Sequence, residues 1–321
     1  MSSTLFGALA SAPNGESVHH VYQTEENTLI EKTLTNEQWS LPKILGPAKA
    51  GTAAAACFLD PKGVIVSLDE TGILQDHVYD PDEDEWQDGS LSSLKIKAHP
   101  ESKLAITIHD EFVRLYYQCP SGGIAEATCD ALIVWEPSKE LSVPKPIAGA
   151  GICVASTDDS LCLSYVHQDG SLHRSTYQNG DWTDTSLGNT TDGAPPVRIL
   201  ALIGSASICY STKSGDLMAV DNTGTHQRLG EINKDGEVQT FGGKECGGLG
   251  GNWQVGGGIG IGIGGGIGIG GGFNGGFNAG GGWAPLPGMD GLQGLMAALG
   301  GRGSIRIHQR RDRAHVRIRM R

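Results

Sequence analysis

Residues 113–126 read VRLYYQCPSGGIAE. VRLYYQ is rich in β-branched and aromatic residues, which favours a strand. CPSGG is turn material, with Pro fixing one backbone angle and Gly allowing the positive ones. GIAE opens a second strand. A turn centred on Pro120 predicts Gln118 opposite Gly122, Tyr116 opposite Ile124 and Arg114 opposite Glu126. Opposed side chains share a face, with Cβ atoms ~4.5–5.5 Å apart. A hairpin needs neither charge, and each is costly to desolvate unpaired. Two readings stand: an exposed ion pair contributing about 0–1 kcal/mol, or a polar clamp that holds a ligand.

The hairpin recurs. HHVYQTEENTLIE (19–31), GVIVSLDETGILQ (63–75), CLSYVHQDGSLHR (162–174) and SICYSTKSGDLMA (207–219) align on RLYYQCPSGGIAE (114–126), and their last positions are 44, 51, 48 and 45 residues apart in chain order. A small-residue apolar run precedes each hairpin: LFGALASA, GTAAAACFL, SKLAITIH, AGAGICVAS and VRILALIG. A tryptophan follows four of them, at Trp39, Trp86, Trp135 and Trp182. A unit of that length with room for four short strands predicts a β-propeller blade. The small residues of the first strand suit the crowded axis. The tryptophans suit the outer side, either as packing residues or as the lining of a groove between blades. The expected fold class is all-β, a propeller with five readable blades and a sixth that is degenerate or missing.

The chain has 321 residues and a formal charge of −12. The last 21 residues hold eight arginines and one aspartate, which leaves −19 on the first 300. An acidic body argues against nucleic-acid binding by the main domain, since phosphate contacts need basic surface. No apolar run reaches the ~18–20 residues of a membrane span. The start, MSSTLFGALASAPNG, lacks a basic n-region and a long apolar stretch. The expected location is cytoplasmic, or outside the cell by a non-classical route. Seven cysteines without a C-x-x-C read as mostly reduced core residues.

The propeller pattern ends near residue 240, so the expected organisation is a propeller domain over 1–240, a Gly-rich segment over 241–288, and a short amphipathic stretch with a basic tail over 289–321. Residues 241–282 hold 23 glycines in 42 positions. They read as a flexible linker, or, through the Ile–Gly alternation, as a self-associating strand. The tail RIHQRRDRAHVRIRMR reads as an anion-binding surface or a solvated end.

The pattern R-[VL]-Y-[YF]-Q…G-I-x-E followed by Y-x-x-G-x-W resembles the fungal fucose-specific lectins over roughly residues 4–230. The resemblance implies a six-bladed propeller with L-fucose sites in the clefts between blades. It implies that an Arg and a Glu of one blade bind the sugar hydroxyls and ring oxygen, while aromatics of the next blade cover its apolar edge. Carried over position by position, the best site is Arg114, Glu126, Tyr177 and Trp182. A partial site is His19, Glu31, Tyr79 and Trp86, with His where Arg is expected. The second repeat offers Gly63 and Gln75, the fourth Cys162 and Arg174, and the fifth Ser207 and Ala219, and none of these makes the clamp. The implied partners are free fucose or fucosylated glycans, and a homo-oligomer would supply the avidity that one weak site lacks.

Enzyme chemistry finds no support in the residues. The acidic run DPDEDE (80–85) lacks calcium-loop order, and no H-x-x-E-H, G-x-S-x-G or P-loop is present. The expectation is no catalytic residue, no metal site and no cofactor. The alternative function is a non-catalytic protein-interaction propeller whose sugar sites are vestigial.

Overall fold

The structure is a computed structural model that describes residues 7–11, 17–35, 38–51, 54–59, 62–130, 134–156, 160–189, 198–203, 207–212, 214–232, 238–240, 304–310 and 313–319. The expected Gly-rich segment and amphipathic stretch lie outside the described residues.

Five antiparallel sheets follow one another along the chain. Blade 1 holds β1 (Gly7–Ser11), β2 (Ser17–Gln23), β3 (Thr28–Thr35) and β4 (Gln38–Trp39), with β5 (Lys43–Pro47) also paired to β3. Blade 2 is β6 (Ala54–Leu59), β7 (Lys62–Leu68), β8 (Leu74–Asp80) and β9 (Glu85–Asp88). Blade 3 is β10 (Leu104–His109), β11 (Phe112–Gln118), β12 (Ile124–Asp130) and β13 (Val134–Trp135), with β14 (Lys139–Glu140) on β12. Blade 4 is β15 (Ile152–Ser156), β16 (Leu161–Val166), β17 (Leu172–Gln178) and β18 (Asp181–Ser186). Blade 5 is β19 (Arg198–Ile203), β20 (Ser207–Ser211), β21 (Asp216–Asp221), β22 (His226–Ile232) and β23 (Val238–Thr240). In the basic tail, β24 (Ser304–Arg310) and β25 (Arg313–Arg319) form a hairpin.

The first strands touch in sequence, β1 with β6, β6 with β10, β10 with β15 and β15 with β19. This is the inner wall of a propeller. Ala54, Ala55 and Ala56 on β6 are all buried, as small side chains beside a crowded axis should be. The second strands are covered on both faces, so the usual in–out alternation is lost. Every residue of β16 is buried, whereas the outermost β18 has none buried.

The core lies between blades rather than within them. Val21 and Leu29 of blade 1 pack with Ala56, Phe58 and Ile65 of blade 2. Val66 and Leu74 of blade 2 pack with Ile106, Leu115 and Trp135 of blade 3. Ala105, Tyr116 and Ile124 of blade 3 meet Val154, Leu163 and Tyr165 of blade 4. Cys162 and Leu172 of blade 4 meet Ile208, Tyr210 and Met218 of blade 5. Each fully buried aliphatic side chain contributes about 1.5–3 kcal/mol.

The hairpin register departs from expectation. Tyr116 opposes Glu126, Gln118 opposes Ile124, and Arg114 opposes Thr128. The turn is therefore centred on Ser121, one residue later. Cys119 N bonds to Gly123 O, and Gly122 N bonds to Cys119 O, both at 2.9 Å. Gly122 has φ +87°, so a type I turn is followed by one left-handed residue, and the loop gains a member. Arg114 and Glu126 still share a face, because their positions differ from direct opposition by two residues.

The glutamine of the motif also has a structural task. Gln118 Nε2 donates to Gly122 O at 3.1 Å, and Gln118 Oε1 accepts from Gly149 N at 3.0 Å. The hairpin of blade 3 is thus pinned to the connection entering blade 4. Gln23 makes the equivalent bonds, donating from Nε2 to Asn27 O at 3.3 Å and accepting at Oε1 from Gly51 N at 2.8 Å.

Candidate functional site

The third cleft, between blades 3 and 4, gathers the four residues of the best site. From β11 and β12, Arg114 Nη1 donates to Glu126 Oε1 at 3.0 Å, and the Tyr116 hydroxyl donates to the same oxygen at 2.7 Å. The Arg114 and Glu126 side chains are each 14% exposed. Arg114 Nε is buried without a hydrogen-bond partner. Burial pulls the Arg114 guanidinium down, but its bond to Glu126 and that carboxyl's charge outweigh this and hold it above its usual value. Burial, reinforced by the Glu126 charge, keeps the Tyr116 hydroxyl well above its ordinary range.

Blade 4 supplies the aromatic wall. Tyr177 and Trp182 are directly opposed on β17 and β18, with ring centroids 5.3 Å apart. Arg114 Cζ lies 5.8 Å from the Tyr177 centroid, and Trp182 meets Tyr116 edge-on at 6.1 Å. The result is a fixed donor fork and an acceptor beside a wall of π-faces. Such a site can hydrogen-bond the polar side of a small sugar and cover its C–H side. Tyr116 was not singled out from the sequence, although its spacing of two from Arg114 places both on one face.

The first cleft, between blades 1 and 2, brings together the partial site. His19 Nδ1 lies 2.9 Å from Glu31 Oε1, and Thr33 Oγ1 donates to that oxygen at 2.7 Å. Glu31 Oε2 is buried without a partner. Burial pushes the Glu31 carboxyl up, but the hydrogen bonds from His19 and Thr33 outweigh it and hold it below the usual range. Tyr79 and Trp86 are opposed on β8 and β9, 5.4 Å between centroids. Phe58, missed in the sequence, stacks on the His19 ring at 3.9 Å and takes up room beside the shorter side chain. Lys43 Nζ reaches across to Asp84 Oδ1 at 2.6 Å, and the Tyr79 hydroxyl donates to the same oxygen. The acidic run is thereby tied into this cleft's rim.

The second cleft corrects the alignment. Counted from the turn centre, the positions of Arg114 and Glu126 are held by Val64 and Asp76, not Gly63 and Gln75. A carboxyl is therefore present, but it is consumed internally. Trp135 Nε1 donates to Asp76 Oδ2 at 2.7 Å, and Leu91 N donates to Asp76 Oδ1 at 2.9 Å. Asp76 and Trp135 are 2% and 3% exposed. The fourth cleft has Cys162 and Arg174, with Ser164 opposite Arg174. In the fifth repeat, Ser207 and Ala219 offer neither charge.

Among the described residues one His/Asp group, His167, Asp169 and His173, has ligand-type atoms within 4.8 Å of one another. Protein hydrogen bonds account for the grouping. Asp169 Oδ1 accepts from Ser171 N at 2.9 Å, and His173 Nδ1 meets Asp184 Oδ2 at 2.6 Å.

Fold and clefts define a propeller of the lectin kind, with paired polar and aromatic residues facing each other across blade boundaries. Residues 5–244 match the fungal fucose-specific lectin family, and the chain belongs to that family. The family is one of lectins, not of enzymes. Among solved structures, AofleA from Arthrobotrys oligospora aligns at TM-score 0.59 and 18% identity, over 76% of this chain and 80% of that one. The six-bladed β-propeller lectin of Aleuria aurantia aligns at TM-score 0.55 and 18% identity, over 73% and 85%. A mutant of the same lectin in complex with Fucα1-6GlcNAc aligns at TM-score 0.57 and 17% identity, over 74% and 87%. A search of the curated proteins found no match. No helix among the described residues is long and apolar enough to cross a membrane.

Proposed function

We propose that the chain binds L-fucose or fucosylated glycans in its third cleft, with fewer working sites than blades. The observation that carries this reading is the Arg114–Tyr116–Glu126 network facing Tyr177 and Trp182. The arginine offers further N–H donors, and the glutamate offers its second oxygen as an acceptor. Each is already held by the other, so little side-chain entropy is lost on binding. The methyl and C–H groups of fucose would lie on the aromatic pair. One such site binds weakly, and useful strength would come from several copies acting at once.

The first cleft contributes little in this reading, because His19 lacks the guanidinium fork and Phe58 packs beside it. Calorimetry with methyl fucoside is the test. Arg114→Ala should abolish binding, since it removes the donors and leaves Glu126 without its cation. His19→Ala should change little. Equal losses in both variants, or full binding by Arg114→Ala, would remove the assignment.

The closed second cleft favours a second reading, a protein-interaction propeller with vestigial sugar sites. On that reading the wild-type chain gives no heat with methyl fucoside or with a fucosylated oligosaccharide.

A further inference from the structure

We infer that the fourth cleft, between blades 4 and 5, is a carboxylate-binding site of polarity opposite to the third. In the third cleft one face of the hairpin carries Arg114, Tyr116 and Glu126. The same three positions in blade 4 carry Cys162, Ser164 and Arg174. Acid is exchanged for base at the position of Glu126, and the two large side chains beside it become small ones. Arg174 is 6% exposed. It lies where blade 4 meets blade 5, and burial pulls its guanidinium below the usual value, against the smaller opposing pulls of Cys162 and of Asp221 in the next blade.

The hydrogen bonding points to a ligand. Arg174 Nε and Nη2 are both buried without a partner, and so is Ser164 Oγ, on the residue directly opposite. Nε–H and Nη2–H are the two parallel donors on one edge of a guanidinium, and that edge matches the two oxygens of a carboxylate. Ser164 Oγ–H adds a third donor to the same anion. The Asp221 carboxylate does not fill this role: its Oδ1 is turned to Thr223 and Thr225, and neither Arg174 Nε nor Nη2 bonds to it. A buried arginine with two orphaned donors is costly, and a bound carboxylate satisfies both. The carboxylate comes either from an acidic saccharide seated as a sugar is seated in the neighbouring cleft, or from a small free acid.

The test uses the full chain and three probes at constant ionic strength: methyl glucuronide, sodium acetate and neutral methyl glucoside. Titrations are followed by NMR shifts and by thermal unfolding. Both carboxylates should shift the spectrum and raise Tm, while methyl glucoside does neither. Tighter binding of the glucuronide than of acetate identifies an acidic saccharide, and equal binding identifies a small acid. Arg174→Lys keeps the charge but loses the fork, and should weaken carboxylate binding about tenfold or more. Arg174→Met should raise Tm without ligand and abolish the response. Both variants should unfold cooperatively and keep the wild-type NMR spectrum away from the fourth cleft, which shows that they fold whether or not the third cleft binds fucose. The proposal is overturned if neither carboxylate moves the wild type at concentrations on the order of 50 mM, where even weak binding registers as stabilisation. It is also overturned if Arg174→Lys binds as the wild type does, or if Arg174→Met responds unchanged.

Discussion

Trp135 of blade 3 donates its indole N–H to Asp76 of blade 2 at 2.7 Å. Asp76 holds the position that Glu126 holds one cleft further on. The cleft is closed by its own protein, and the tryptophan satisfies a carboxyl that would otherwise be left for a ligand. Trp135→Phe keeps most of the ring but leaves Asp76 Oδ2 with no donor. An orphaned buried acceptor costs about 1–3 kcal/mol, which urea unfolding will read. Fucose affinity should be unchanged. An unfolding midpoint equal to that of wild type would show that Asp76 needs no indole.

Asp76 also has a pH signature. Burial pushes its carboxyl above the usual value and outweighs the bonds from Trp135 and Leu91. The native state therefore holds the proton more tightly than the unfolded chain does. From the unfolded value of about 3.9 up to the raised native one, stability falls as pH rises. Glu31 and Asp69 are lowered and act in the opposite sense, so wild type alone would mix the signs. The stability of wild type minus that of Asp76→Asn isolates the group. That difference should shrink as pH rises through the window. A constant or growing difference would count against a raised carboxyl.

Tyr116→Phe deletes one of the two donors to Glu126 Oε1, together with the hydroxyl's interaction with the Arg114 guanidinium. A hydrogen bond to a charged group contributes about 1.5–3 kcal/mol. If Glu126 is positioned for the sugar by this bond, methyl fucoside affinity should drop about tenfold while the fold persists. Calorimetry beside circular dichroism separates the two effects, and an unchanged affinity would leave Arg114 as the sole positioning group.

The blades were legible because small inner strands, paired hairpins and outer tryptophans recur in phase, and that phase survives poor identity between units. The Arg114–Glu126 pair was legible because charges are out of place in a strand. The register was not, because a turn with one left-handed residue and a turn without one look alike around Pro120 and Gly122. Asp76 was hidden by a one-residue slip of the second repeat: with Gly72 set on Gly122, Asp76 and not the neighbouring Gln75 takes the place of Glu126. The closing of the second cleft by Trp135 is a contact between residues 59 positions apart, which no local pattern encodes. Phe58 escaped notice for a similar reason, since it enters the first cleft from an inner strand. Arg174 was visible as a wrong residue, but its orphaned donors appear only once the blades are packed.

The left-handed residue of the turn gives a last expectation. Five hairpins use the same loop, and the equivalent positions are Asn27, Gly72, Gly122, Gly170 and Gly215, with φ of 62°, 84°, 87°, 88° and 93°. A left-handed backbone costs an ordinary L-residue about 1–2 kcal/mol, while glycine and, to a lesser degree, asparagine adopt it readily. At Gly122 a Cβ would meet nothing within 4 Å, so substitution there probes backbone preference without a clash. Gly122→Ala should destabilise by about 1 kcal/mol, and Gly122→Asn by less, because blade 1 already carries asparagine at this place. Thermal unfolding of the two variants checks the order. If alanine and asparagine cost the same, the loop tolerates a different turn, and the register that sets Tyr116 against Glu126 would have to be held by the packed strands alone.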